Sequence, residues 1–224
     1  MFSVLFIVQP KKGRFDDYLG LAKLLKPELE KIDGFIDNER FGSKRFEGRV
    51  LSLSTWRNEK AVIRWRTLAV HHGVQEKGRS EIFEDYHLRV GEIIVDNEVP
   101  KGQKLQEVRF DGTETGNAKV VTISELTPGN SDKPASADLV ANIGLPKLGT
   151  GGVIDHETFE SIYHPGKLLL LASWMDAAAA DQWKPKILVG GNLRHRQVRI
   201  IRDYGLVDRR EAPQYYAPVL KADA

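Results

Sequence analysis

One stretch of this sequence is written twice. Residues 49–65, from Arg49 through Trp56 to Trp65, return as residues 167–183, from Lys167 through Trp174 to Trp183. Trp56 and Trp174 lie 118 positions apart, as do Trp65 and Trp183, Gly48 and Gly166, and Asn58 and Asp176. All four tryptophans of the chain belong to these two segments. Each copy reads as a strand that ends in a tryptophan, then a helix with a second tryptophan inside it. A chain that repeats such a unit is expected to fold as two similar domains, and 224 residues suffice for two of roughly 100 each.

The first copy can be followed in order. Ser3 to Gln9 is an apolar run of strand length. After Pro10-Lys-Lys-Gly13, apolar residues at Phe15, Tyr18, Leu19, Ala22, Leu25, Leu29 and Ile32 form the stripe of an amphipathic helix. Pro27 is expected to kink or divide that helix, because proline removes a backbone donor and crowds the preceding turn. Strands are expected at 35–41, 49–56 and 83–96, with a helix opening at Asn58, a good N-cap. That helix carries Ala61, Val62, Trp65, Ala69 and His72 along one side, leaving His71 off the stripe.

The order β-α-β-β-α-β is the ferredoxin-like plan. Alternation along the third strand puts Leu51, Leu53 and Thr55 on one face, suited to packing against helices. Val50, Ser52, Ser54 and Trp56 share the other, which reads as the wall of a cavity.

In the second copy the match runs without a gap from Val153 to Trp183. Residues 120–126 take the place of the first strand, 127–134 read as a loop, and 135–143 as a short helix. Residues 196–203 supply the last strand, and aligning Leu88-Arg89-Val90 with Val198-Arg199-Ile200 reduces the offset there to 110. The expected organisation is therefore a domain at 1–98, a linker at 99–118, a second, divergent domain at 119–205, and a C-terminal arm at 206–224. The fold class is α+β: tandem ferredoxin-like domains whose bare sheet faces bury each other.

A formal charge of +2 gives no reason to expect nucleic acid or an anionic membrane as partner. The absence of cysteine excludes disulfides and thiol catalysis, and suits a reducing compartment. Residues 1–8 read as a strand rather than a signal peptide, and no apolar run approaches the ~20 residues of a membrane helix. The expected location is cytoplasmic.

Residues 13–18 (Gly-Arg-Phe-Asp-Asp-Tyr), 32–35 (Ile-Asp-Gly-Phe) and 51–61 (Leu-Ser-Leu-Ser-Thr-Trp-Arg-Asn-Glu-Lys-Ala), followed by Trp65 and His72, resemble the antibiotic biosynthesis monooxygenase domain family. The likeness covers about residues 1–96 and, more weakly, 153–203. It implies a ferredoxin-like fold of the dimeric α+β barrel type. It also implies cofactor-independent oxidation of a small aromatic or phenolic compound by molecular oxygen, with haem binding or a non-catalytic ligand-binding or assembly role as alternatives. In the quinone-forming members the strand tryptophan matches Trp56, while their asparagine is replaced by Ser52 and their helix tyrosine by Val62. In the haem-degrading members the helix tryptophan matches Trp65, and the axial histidine is replaced by Gln75.

The expected catalytic residues are thus Ser52, to hydrogen-bond the substrate oxygen, Trp56, to shape the pocket, and His72, to handle a proton. Trp65, Ser54 and Val62 are expected to bind substrate. No cofactor or metal is expected. The partners are a small aromatic substrate, oxygen and, if the halves do not satisfy each other, a second copy of the chain. The matching face of the second copy carries Leu168, Leu170, Ala172 and Trp174, almost without polar groups, so the site is expected in the first.

Overall fold

A computed structural model describes residues 1–129, 139–186, 191–216 and 218–219. The first half runs β1 (Phe2–Pro10), α1 (Phe15–Glu30), β2 (Phe35–Ser43), β3 (Val50–Trp56), α2 (Glu59–Thr67), α3 (Ala69–Lys77), a π-helical turn (Gly78–Ile82) and β4 (Phe83–Asp96). The second runs β5 (Val120–Pro128), α4 (Leu139–Asn142), β6 (Val153–Ser161), β7 (Leu168–Trp174), α5 (Ala177–Gln182) and β8 (Gly191–Gly205). Residues 130–138, which include most of the expected loop and the start of the expected helix, lie outside the described residues. Among the described residues no helix is long and apolar enough to cross a membrane.

The eight strands close into one antiparallel barrel in the order β1-β3-β2-β6-β7-β5-β8-β4. The two halves meet along two seams. At one, Phe41 pairs with Ser161 and Ser43 with Phe159, a self-complementary contact because Phe41 and Ser43 each meet the other's counterpart, 118 positions on. At the other, β4 and β8 pair from His87↔Gly205 to Asp96↔Arg196. Ion pairs bridge the halves with the same symmetry. Glu39 accepts from Lys167 and Ser161, and Glu157, its counterpart, accepts from Arg49 and Ser43.

The leucine face of β3 does not meet the helices. Leu51 and Leu53 point into the barrel, where they pack with Leu5, Phe41, Phe159, Leu169 and Leu171 from both halves. The apolar residues at the middle of both sheets fill the barrel interior, flanked by ion pairs such as Glu39–Lys167 and Arg89–Asp203. The Ser52–Trp56 face turns outward, under α1, α2 and α3 instead.

Three further expectations change. Pro27 lies inside an unbroken α1, because it and Lys23, whose carbonyl it leaves unbonded, both face solvent. The helix opened by Asn58 breaks at Leu68, whose extended backbone (φ −63°, ψ 127°) separates α2 from α3. The last strands align at an offset of 107 rather than 110, since Phe2 pairs with Trp56 and Glu92 as Val120 pairs with Trp174 and Arg199.

The expected N-caps are present in both halves. Asn58 accepts from the amide of Ala61 at 3.0 Å and Asp176 from that of Ala179 at 2.8 Å. Gly34 (φ +93°) and Gly152 (φ +82°) precede each strand–helix unit at matching positions. A β-carbon on Gly34 would stand 2.8 Å from that of Ala61, and one on Gly152 would collide with Ala179. Glycine lets each helix close down on its sheet.

Candidate active site

A cavity of about 190 Å³ lies between the outer face of the first-half sheet and the three helices above it. Strand register sets out its floor as two rows of side chains. One row is Asn38–Ser54–Val4–Val90–Arg202, and the next is Arg40–Ser52–Phe6–Leu88–Tyr204. Both rows are polar at their ends and apolar in the middle. Five strands separate the ends by four spacings, ~19 Å along the sheet.

At the β2 end, Asn38 Nδ2 donates to Ser52 Oγ at 3.0 Å and to the Leu53 carbonyl at 2.9 Å. Tyr18 of α1 sits over them. Burial raises its pKa, opposed by the Arg40 guanidinium and by hydrogen bonds with Arg40 and Ser52. Arg40 retains a buried Nε without a partner. An amide from β2 and a phenol from α1 thus stand beside Ser52. Neither position was legible from the repeat, because β2 pairs with β3 only after folding, and α1 lies more than thirty residues upstream.

At the β8 end stand Arg202 and Tyr204, beneath Arg66 of α2. Burial, chiefly, pushes the Tyr204 phenol up to about 12. These residues come from the second half of the chain. β8 is long enough to pair with β5 up to Arg199 and with β4 through Gly205, so its C-terminal end serves the first half.

The sequence-predicted residues divide. Ser52, Ser54, Val62 and Trp65 line the cavity. Trp56 lies one row beyond it, fully buried, edge-on to Phe35, with its indole Nε1 donating to Ser54 Oγ at 2.9 Å. His72 is exposed outside the cavity, its Nδ1 2.9 Å from the Tyr216 hydroxyl. His71 lines the cavity in its place, stacked on Trp65 with ring centroids 4.0 Å apart. The break at Leu68 causes the exchange, because it resets the helical phase between Trp65 and the histidines. His71 Nδ1 lies 2.9 Å from the Trp65 carbonyl, which can only accept, so Nδ1 carries the proton and Nε2 presents a lone pair. Burial pushes the imidazole pKa down to about 4, so the ring is neutral at physiological pH. Gln75, also in the lining, accepts from the Tyr216 hydroxyl at 2.8 Å, which straps the C-terminal arm across α3. Among the described residues no three His, Asp or Glu side chains converge as a metal site.

Among the described residues, the corresponding face of the second half is covered by apolar side chains. The counterpart rows, His156–Ala172–Thr122–Gln197 and Thr158–Leu170–Ser124–His195, lie beneath a cluster that includes Leu139, Ile143, Ala180 and Trp183.

The sequence profile described as antibiotic biosynthesis monooxygenase matches residues 1–77. A protein of Pyricularia oryzae named jasmonate monooxygenase is 41% identical over 223 residues, covering 97% of this chain and 99% of the relative. The chain belongs to the antibiotic biosynthesis monooxygenase family. Among solved structures, an aldoxime dehydratase crystallised with butyraldoxime is 10% identical with a TM-score of 0.55, over 89% of this chain and 79% of that one. A protein of Shewanella oneidensis is 16% identical over 40% of this chain and 86% of its own, with a TM-score of 0.38. At these identities the aldoxime dehydratase shares the fold alone.

Proposed function

We propose that this chain is a monooxygenase acting on a small, largely apolar substrate bound in the first-half cavity. The observation that carries the reading is the lining itself, an apolar floor between two polar ends with a neutral imidazole in the roof. Membership of the family and the name of the Pyricularia relative support the reaction class and make jasmonate the first compound to test. We also infer that residues 1–98 and 119–205 are two copies of one ferredoxin-like unit, joined by 99–118, which pair as two subunits would. The self-complementary seam at Phe41 and Phe159 supports this.

The reaction is read as cofactor-free. His71 Nε2 takes a proton from an acidic carbon beside a carbonyl or phenol. Asn38, Ser52 and Tyr18 hold the oxygen on which negative charge collects. The carbanion passes an electron to oxygen, the two radicals combine as a peroxide, and loss of water leaves a carbonyl. A methylene and one O2 thereby become a carbonyl and one water, with no outside reductant.

A planar aromatic or phenolic substrate is the second reading, favoured by the flat face of the Trp65–His71 stack in the cavity wall. Haem fits less well, since Gln75, which stands where the resemblance puts the axial histidine, accepts from Tyr216, and His72 lies outside the cavity.

Oxygen uptake with jasmonic acid, and with a hydroxylated anthrone, tests both readings without added flavin, metal or nicotinamide. His71→Gln is expected to lower turnover by roughly 10²-fold, the low end for general base catalysis, while His72→Gln stays within about twofold. An absolute requirement for added reductant would overturn the cofactor-free reading. Equal loss in the two histidine variants would remove the role given to His71.

A further inference from the structure

The charge balance of the cavity is lopsided. Three arginines line it, Arg40, Arg66 and Arg202, against one acid, Glu59. Both Glu59 oxygens are already taken by Arg109 Nη1, at 2.7 Å each. Among the described residues none of the three arginines forms an ion pair, and Arg66 holds a buried Nε without a partner. Arg66 and Arg202 occupy the same end of the cavity, with Tyr204 between strand and helix. Burial lowers the Arg66 pKa, and Arg202 adds to that by repulsion while Tyr204 and Glu59 oppose it. Two guanidiniums facing one partly dry space, with no anion between them, are a costly arrangement. A ligand that brings its own anion offsets that cost, and a carboxylate matches the planar two-donor fork of arginine.

We propose that Arg66 and Arg202 form a carboxylate clamp, so that the substrate is an apolar organic acid lying across the strands. This deepens the monooxygenase reading and rests on it for the identity of the reacting end. With the acid group at the β8 end, Val4, Phe6, Leu88 and Val90 contact the hydrocarbon body. The far end then reaches Asn38, Ser52 and Tyr18, where the oxygen chemistry is assigned. The clamp takes one arginine from each half of the chain, so the first half alone makes an incomplete site.

Isothermal titration of the full chain with jasmonic acid and with its methyl ester isolates the charge, because the two differ little in shape. Octanoate serves as a second acid. The acid is expected to bind at least about tenfold tighter than the ester, the scale of one charge-assisted pair. Arg202→Gln and Arg66→Gln are each expected to bring that ratio close to one. Thermal melts identify a variant that fails to fold, in which case the other arginine carries the test. Equal affinity for acid and ester, a preference that survives both substitutions, or failure of both acids to bind would overturn the clamp. Oxygen uptake is measured on the same samples. A charge preference lost in the arginine variants, without any oxygen uptake by the unaltered chain, supports the clamp and removes the monooxygenase reading. Oxygen uptake with equal binding of acid and ester does the reverse.

Discussion

The two halves carry the same strand–helix segment and use it for opposite ends. In the first, Trp65 is inside a nine-residue helix and stacks on His71, at the edge of a cavity. In the second, α5 is six residues long, and Trp183 follows it in extended conformation (φ −94°, ψ 126°). Its ring folds back onto Trp174, with centroids 5.5 Å apart, and its Nε1 donates to the Gly144 carbonyl at 3.0 Å. Three residues of helix separate a tryptophan that borders a cavity from one that fills it. The floors differ in the same sense. Ser52 and Ser54 of β3 correspond to Leu170 and Ala172 of β7. Two hydroxyls able to orient a ligand are thus replaced by side chains that join the apolar cluster with α4, although polar groups remain on β5, β6 and β8. One half covers its outer sheet face with α4, α5 and Trp183, while the other keeps a cavity there.

The largest expected effect separates the two helix tryptophans. Trp183→Ala should cost ~3–5 kcal/mol, as for other buried large-to-small changes. Trp65→Ala, half-buried beside an open space, should cost ~1–2 kcal/mol. Chemical denaturation of both variants measures the contrast, and equal losses would mean that Trp65 is core as much as Trp183.

The pH dependence of stability follows from one histidine in each half. Burial, chiefly, pushes both His71 and His195 down to about 4. Each folded-state pKa is lowered, so between about 4 and 6.5 the unfolded chain binds more protons. Stability is then full above pH 6.5 and falls as pH drops through that window, by up to ~3 kcal/mol per histidine. Denaturation curves between pH 7 and 4 should lose part of this slope in His71→Gln and another part in His195→Asn. The loss should be the larger for His195, which is buried and whose Nε2 has no partner.

A smaller change in free energy would convert one half toward the other. Ser52→Leu with Ser54→Ala gives the first-half floor the side chains of the second. Turnover should fall by roughly 10²-fold or more, about 2.7 kcal/mol, with the fold retained. Part of the cost is local, because Trp56 Nε1 loses the Ser54 Oγ acceptor. Unchanged turnover would exclude this face from the chemistry. The smallest expected effect tests whether the halves are built alike. Gly34→Ala and Gly152→Ala should each destabilise by ~1–2 kcal/mol, from a left-handed backbone and a close helix contact. A large difference between them would show that the close approach matters in only one half.

Residue patterns made the local elements legible, because caps, alternation and the 118-residue register act over a few neighbours. Asn58, Asp176 and the third-strand faces were all readable in this way. Pro27 misled because its cost depends on which side of the helix faces water. The histidines exchanged places because a single extended residue, Leu68, is enough to turn the following helix, and no stripe reveals such a break. Asn38 and Arg40 left a signal, two polar residues at alternate positions of β2, but its meaning required knowing that this face turns toward α1.

The sequence by itself determined the 118-residue register of the two strand–helix segments, and that Ser52 and Ser54 stand in the first where Leu170 and Ala172 stand in the second. Periodicity and capping are local, and repetition made them visible. Only the tertiary structure decided that the leucine faces meet inside a single barrel. It also decided that β8 carries Arg202 and Tyr204 across to the first half, and that His71 rather than His72 looks into the cavity. Those outcomes depend on strand pairing across more than a hundred residues and on one backbone torsion, and neither is encoded in the spacing of side chains along the chain.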